Sequence, residues 1–176
     1  MIETARLILR PPQPGDTAAL HAMWSDPRVM ADLAPVKSPA ESAETIARHE
    51  AYRATHGVGF WTTLRKEDGA VIGFCGLKPG AEDTPIAGEL EVGWMLAADH
   101  WRRAFGHEAA AASLAWGWAN HDAPRIVAIT AAQNAASRAL MVRLGMVHTA
   151  ALDFEHPKFA ANDPRRATVT YAIERP

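Results

Sequence analysis

Residues 89–112, ELEVGWMLAADHWRRAFGHEAAAA, decide how this chain is read. Glu89 to Leu96 is rich in β-formers and opens with alternating carboxylates, which predicts a strand. Ala97 to His100 is polar and turn-like, and the alanine-rich run from Ala104 onward predicts a helix. A loop that ends on a helix N-terminus presents unpaired backbone N–H groups at the positive end of the helix dipole, a ready place for an anion. Arg102 and Arg103 add fixed positive charge there, and Gly106 lets a ligand come close to the backbone. Strand, basic glycine loop and helix together point to a cofactor that carries pyrophosphate. The plain alternative is an ordinary strand–helix connection with two solvated arginines. GxxxxGK[ST] is absent and no GxGxxG follows a strand, so neither a P-loop nor a Rossmann fingerprint is present.

Upstream of this stretch, Gly59 to Lys66 and Val71 to Leu77 read as strands joined by a turn at Glu67-Asp68-Gly69, since Asp-Gly is a strong hairpin signal. Lys78 to Gly88 is turn-rich and reads as a loop. Further back, Arg6 to Arg10 is a short strand closed by prolines, and Asp16 is placed to cap a helix bearing Leu20, Met23 and Trp24. Asp26-Pro27 starts another short turn. Ser38-Pro39-Ala40-Glu41 is a capping box with proline at the first helical position, so a helix should run from there to His56 and stop at Gly57. These early helices are suited to wall a pocket for an acceptor.

Downstream, Arg125 to Ala131 reads as a strand, and Asn134 to Leu144 as a helix capped by Asn134 and ended by Gly145. Met146 to Phe154 and Ala167 to Ile173 are two further strands, with a loop between them. Alternating strands and helices predict an α/β domain: one mixed sheet with helices on its faces, spanning residues 1–176.

Composition narrows the function. A chain of 176 residues with 48% hydrophobic and 22% charged content is globular, and a net charge of −2 gives no basic field for nucleic acid. No apolar run approaches the ~20 residues that span a bilayer, and the N-terminus MIETARLILRPPQPGD lacks the apolar core of a secretory signal. The single cysteine, Cys75, lies in the apolar run VIGFCGL and reads as a buried, inert thiol, as expected in a reducing cytoplasm. The eight histidines are scattered with no HExxH, so no metal site is expected, and no GxSxG elbow occurs.

Two constellations remain. Glu89 and Glu91 are two apart on a strand and share a face, where they could relay a proton from an amine through water. Solvated edge-strand charges are the alternative, stronger for Glu89 than for Glu91. Asn134-Ala135-Ala136-Ser137 opens a helix after a strand. On spacing alone the plain N-cap is the preferred reading; the functional alternative uses the same geometry, a hydroxyl in the first turn facing whatever lies beside the strand ends.

Taken in order, ETARLILR (3–10), SDPRVM (25–30), VIGFCGL (71–77), EVGWML (91–96), HWRRAFGHEA (100–109), NAASRALMVRLGM (134–146) and FEHP (154–157) resemble the GNAT superfamily of acyl-CoA N-acyltransferases. Within it they are most similar to the branch of the ribosomal-protein N-acetyltransferases RimJ and RimL. The family loop is usually Q/R-x-x-G-x-G/A; here Trp101 holds the first position, Ala104 replaces the central glycine and Gly106 is kept.

The resemblance implies a three-layer sandwich with a mostly antiparallel seven-stranded sheet, splayed between the fourth and fifth strands. It implies acetyl-CoA as cosubstrate and no metal, with a primary amine as acceptor, in a bacterial, cytoplasmic monomer or homodimer. The pantetheine arm would pair with backbone near Met95 and Leu96, and the pyrophosphate would sit on the N–H groups of Arg102, Arg103, Ala104, Phe105, Gly106 and His107. Glu91, with Glu89 behind it, would remove the amine proton. Ser137 would protonate the leaving thiolate, and Asn134 would hold loop and pantetheine. Ala104 is expected at negative φ, where alanine costs little. A protein N-terminus would call for an open acidic groove and a small amine for a deeper acidic pocket. A CoA-binding sensor without turnover is the reading from outside enzymes.

Overall fold

The computed structural model describes residues 1–176. Its elements are β1 (Ile2–Glu3), β2 (Leu7–Arg10), α1 (Thr17–Trp24), α2 (Pro27–Met30), α3 (Pro39–His56), β3 (Trp61–Arg65), β4 (Val71–Pro79), β5 (Leu90–Leu96), α4 (Phe105–Asn120), β6 (Arg125–Ala131), α5 (Ala135–Arg143), β7 (Val147–His148), β8 (Phe154–Glu155) and β9 (Ala167–Glu174). The strands form one sheet in the order β1-β2-β3-β4-β5-β6-β9-β7, with β8 also paired to β9. Every pairing is antiparallel except β5–β6.

That parallel pairing is short. It holds Leu90 against Ile126 and Glu91 against Val127 and then stops, while β5 continues to Leu96. The two strands diverge beyond Glu91, leaving a wedge open in the middle of the sheet. The expected splay is therefore present, in a sheet of nine strands rather than seven.

The excess has local causes. Ile2–Glu3 pairs with β2 ahead of the predicted first strand. The predicted strand 146–154 is broken into β7, a 3-10 turn at Ala150–Leu152, and β8. At the break, the Thr170 N–H donates to the Asp153 carboxylate at 2.8 Å and the Thr170 hydroxyl donates to Leu152 O at 2.7 Å. A side chain thus takes the ladder donor that a continuous strand would have used.

Helices α4 and α5 cover one face and α1, α2 and α3 the other. Under α4, Leu77, Val92, Ile126 and Ala128 form a core with Leu114 and Met141. Alanines let this helix lie close: Ala109 and Ala110 are fully buried, and a Cβ on Gly117 would come within 2.7 Å of Leu77 Cδ1. On the other face Leu20, Met23 and Trp24 pack with Phe60 and Phe74.

The caps read from sequence are in place at α3, where Ser38 and Glu41 bond reciprocally and Gly57 closes the helix at φ 71°. They are also present at α5, where Asn134 Oδ1 accepts from the Ser137 N–H at 3.0 Å. Asp16 differs. Its carboxylate does not cap α1 but is buried in a bidentate pair with Arg10 (2.7 and 2.8 Å), accepting also from Thr62 Oγ1 and from the Gln13 N–H at the start of the 3-10 turn Pro14–Asp16. Burial alone would push this carboxyl up, but the bonds from Arg10, Gln13 and Thr62 prevail and hold it below the usual carboxylate value. Cys75 is fully buried, and burial pushes its thiol up to about 11. No helix is long and apolar enough to cross a membrane.

Candidate active site

The wedge between β5 and β6 opens into a cleft of about 260 Å³ that passes from one face of the sheet to the other. The antiparallel register defines its polar edge. The bonds Ala97 N–H to Ile72 O and Gly80 N–H to Glu89 O show that odd-numbered residues of β5 bond to β4. Trp94 and Leu96 therefore turn their N–H groups away from β4, into a gap where β6 no longer reaches them. Met95 is bonded into β4 and offers its side chain to the cleft instead. Leu96 O is already used, accepting from Trp101 Nε1 at 2.9 Å, a bond that pins the following loop to the end of the strand.

In that loop the backbone N–H groups of Arg102, Arg103, Ala104, Phe105, Gly106 and His107 have no acceptor in the protein. Arg102 and Ala104 adopt positive φ, 60° and 61°, while Arg103 between them does not. Such alternation gathers successive N–H groups into an anion-binding concavity. Ala104 thus occupies the left-handed region as the N-cap of α4, contrary to the expectation of negative φ. The loop must turn sharply into the helix, and packing of Phe105 and Ala109 against the sheet holds the turn despite the Cβ. A Cβ on Gly106 would meet only ordinary contacts, 3.4 Å from Leu140 and 3.5 Å from Leu96. Arg102 and Arg103 are exposed and free of ion pairs. On the far side of the first turn, Glu108 ties α4 to the N-terminal strands through Thr4 and Arg6.

Across the wedge, Ser137 and Thr130 line the cleft from α5 and β6. Thr130 Oγ1 is buried without a hydrogen-bond partner, and a buried polar atom of that kind calls for a ligand or water. Asn134 is buried and holds the start of α5 in place. Unpaired N–H groups at Trp94 and Leu96, the orphaned hydroxyl and the concavity at residues 102–107 suit a ligand with an amide-bearing arm and a pyrophosphate head.

Glu91 is 5% exposed at the point where the strands part, and its Oε2 accepts from the Lys78 ammonium directly across the β4–β5 ladder. Its Oε1 has no partner within the protein. Glu89 does not join it. Lying just before β5, Glu89 is held by Arg125 at 2.5 Å and lines a second cavity, with Tyr52, His56 and His121. The two carboxylates share a face in sequence but are separated where β5 begins.

Other lining residues do not read as part of a site from the sequence. His49, which shares a helix face with His56 at i,i+7 and reads from the sequence as solvated, is instead buried between aromatic rings, 4.5 Å from Phe60 and 5.0 Å from Phe74 between centroids, and its Nδ1 accepts from the Phe60 N–H. Burial, with Arg48, Lys78 and Arg53 nearby, pushes its pKa down to about 3. His156, on the β8–β9 loop, is pushed down to about 4 by burial and by Lys158 and Lys78. Lys37, Arg48, Lys158 and Arg165 also face the cleft. The expectation was an acidic lining, as an open groove for a protein N-terminus or a deeper pocket for a small amine; this cleft is walled mainly by cations. Charge spacing along α3 carries no signal of it, because the cations come from three separate segments.

The profile of the acetyltransferase (GNAT) domain family matches residues 6–147. YkkB of Bacillus subtilis (strain 168), an uncharacterized protein, is 28% identical over 144 residues, covering 81% of this chain and 83% of the relative. Among solved structures, an acetyltransferase from Agrobacterium tumefaciens superposes with a TM-score of 0.80 at 25% identity, covering 98% of this chain and 93% of that one. RimL, a ribosomal L7/L12 alpha-N-protein acetyltransferase in complex with coenzyme A, superposes with a TM-score of 0.76 at 17% identity over 97% and 95% of the two chains.

Proposed function

The chain belongs to the GNAT acetyltransferase family, and from that premise we propose that it moves the acetyl group of acetyl-CoA to a primary amine by direct attack in a ternary complex. The observation that carries this reading is the wedge beyond Glu91, with unpaired N–H groups on one strand, an orphaned hydroxyl on the other, and an anion concavity at its end. Acetyl-CoA supplies the activated acetyl group; its phosphates suit the N–H groups of residues 102–107 with Arg102 and Arg103, and its arm suits the N–H of Leu96. Asn134 holds the far wall.

An exposed alkylamine has a pKa of roughly 10.4 and must lose a proton to attack. Glu91 accepts that proton through water at Oε1, while Lys78 on Oε2 fixes the carboxylate. The neutral amine nitrogen then bonds to the acetyl carbon, the carbon–sulfur bond breaks, and the nitrogen gives up its second proton to solvent to leave the neutral amide. The Trp94 N–H, nearer Glu91 along β5 than Leu96 is, donates to the carbonyl oxygen as charge develops, Ser137 donates a proton to the departing sulfur, and solvent restores the serine hydroxyl. Glu89, fixed by Arg125, has no part in these steps.

We place the protein in the RimJ/RimL-like branch, as one catalytic domain of a bacterial cytoplasm. Bacterial relatives, the RimL-like fold and the buried free thiol support this. A protein N-terminus and a small-molecule amine are both acceptors of this chemistry.

The test is release of free CoA thiol from acetyl-CoA over a panel of amines, repeated with Glu91→Gln. Loss of a general base costs about 10²–10⁴-fold in kcat, with acetyl-CoA affinity retained. Acetyl-CoA binding without acetylation of any amine would instead support a sensor.

A further inference from the structure

The whole chain carries a net charge of −2, yet the acceptor half of the cleft concentrates positive charge. Lys37, Arg48, Lys78, Lys158 and Arg165 line it, against Asp32 and Glu91. Two of these cations are already satisfied: Lys78 pairs with Glu91, and Arg165 with Asp163 at 2.6 Å. Lys37 and Arg48, from the approach to α3 and its middle, and Lys158, from the β8–β9 loop, have no carboxylate within ion-pair distance.

These three converge from separate elements. Lys158 is exposed as a residue, with its ammonium over the Phe159 ring. Partial burial there, with Lys78, Lys37 and Arg48 repelling it, holds its pKa below the usual lysine value, with Glu91 pulling the other way. Burial and Arg48 do the same to Lys37, against the opposite pull of Glu41 and Glu44. Phe159 anchors this wall: its ring is 8% exposed, with the Lys158 ammonium 4.7 Å and the Arg165 guanidinium 5.2 Å from its centroid. Like charges brought together in a concave, partly dry place repel one another, and that cost is repaid when an anion binds among them.

The cations are also remote from the place suited to the pyrophosphate. Glu91 and Lys78 stand at one end of β5 and the 102–107 loop follows the other end. The five-residue step from Glu91 to Leu96 is about 16 Å of strand. Lys37, Arg48 and Lys158 therefore face the acceptor rather than the phosphates of the cosubstrate.

We propose that the acceptor is a small amine bearing its own anionic group, a carboxylate or a phosphonate or phosphate, held by Lys158, Arg48 and Lys37 so that its amine reaches Glu91. The inference rests on the acetyl-transfer reading above. It runs against a polyamine acceptor, whose second ammonium would meet three unpaired cations. The anion supplies the charge that the cleft lacks, and the single free carboxylate oxygen of Glu91 is left to the amine.

The experiment uses the full chain with acetyl-CoA and matched amines: L-phenylalanine against its carboxamide, 2-aminoethylphosphonate against ethanolamine, spermidine, and a short acidic peptide with a free N-terminus. The expected result is kcat/KM at least ~10-fold higher for the anionic member of one small-molecule pair, the size of one charge-assisted contact. That advantage should shrink between 50 and 500 mM NaCl, as screening requires (Debye length roughly 14 Å falling to roughly 4 Å). The pair that shows it distinguishes carboxylate from phosphonate recognition. Lys158→Ala with Arg48→Ala should raise KM for the anionic amine about 10-fold, while calorimetric affinity for acetyl-CoA stays the same and certifies the fold. Equal or better use of spermidine or of the uncharged partners overturns the proposal and leaves acetyl transfer standing. Acetylation of the acidic peptide alone overturns it in favour of a macromolecular acceptor. Binding of acetyl-CoA with no acceptor turned over overturns both readings.

Discussion

His49 makes the stability of the cleft wall depend on pH in a way that can be calculated. Its ring is 4% exposed, packs between Phe60 and Phe74, and accepts the Phe60 N–H at 3.1 Å through Nδ1, which must therefore be unprotonated. Its folded pKa lies at about 3 against an ordinary value of 6.5. With the folded value depressed, the contribution is complete above the unfolded pKa and is lost as pH falls toward the folded one, because only the unfolded chain takes up the proton. Between pH 7.5 and pH 5 this single group should remove ~2 kcal/mol of unfolding free energy, from 1.36 kcal/mol for each pH unit below 6.5. The assay is urea unfolding followed by tryptophan fluorescence at several pH values, for the unmodified protein and for His49→Gln. Glutamine keeps an acceptor for the Phe60 N–H and removes the titration. His156 and the carboxylates contribute to both proteins and cancel in the difference. The difference between the two curves should close by about 2 kcal/mol on acidification. Parallel curves would refute the reasoning, showing that His49 is already charged in the fold or that water reaches it.

Ala104→Gly should relieve a left-handed alanine at the N-cap of α4 and stabilise by about 1 kcal/mol, a rise in Tm of about 3 °C by calorimetry; a fall in Tm would contradict the loop geometry. Gly93→Ala would place a Cβ 2.5 Å from Phe60 Cζ in the cleft wall, and since Phe60 is packed against His49 and Phe74 the cost should be about 1–3 kcal/mol in urea unfolding. Asp16→Ala leaves Arg10 largely buried with no counter-charge and should cost about 3 kcal/mol in the same measurement, whereas Asp26→Ala, which breaks an exposed pair with Arg28 and the cap of the short α2, should cost less.

How much of this was legible in the linear sequence differs from element to element. Local rules were sufficient wherever the structure is local. The capping box at Ser38, the Asn134 cap, the Gly57 and Gly145 stops and the Asp68-Gly69 turn are all set by contacts within a few residues. The same holds for the loop at residues 101–107, whose unpaired N–H groups follow from the start of a helix. Asp16 escaped, because a carboxylate ahead of a helix has the pattern of a cap whether or not an arginine from a neighbouring strand claims it. The break at residues 149–153 escaped for a similar reason: the Asp153 carboxylate competes with a backbone ladder seventeen residues away.

Thus the order of strands and helices, the anion loop after β5 and the carboxylate at Glu91 were decided by the chain itself, through periodicity, turn chemistry and capping. Tertiary structure decided the rest. Only the parting of β5 from β6 turns Trp94 and Leu96 toward open space, and only the ladder sets Lys78 against Glu91 while Arg125 draws Glu89 away. The positive charge of the cleft is of the same kind. Lys37, Arg48 and Lys158 are separated by up to 121 residues and are ordinary surface residues by composition. They act together only because α3 and the β8–β9 loop fold over the same opening, and electrostatics depends on distance in space rather than along the chain.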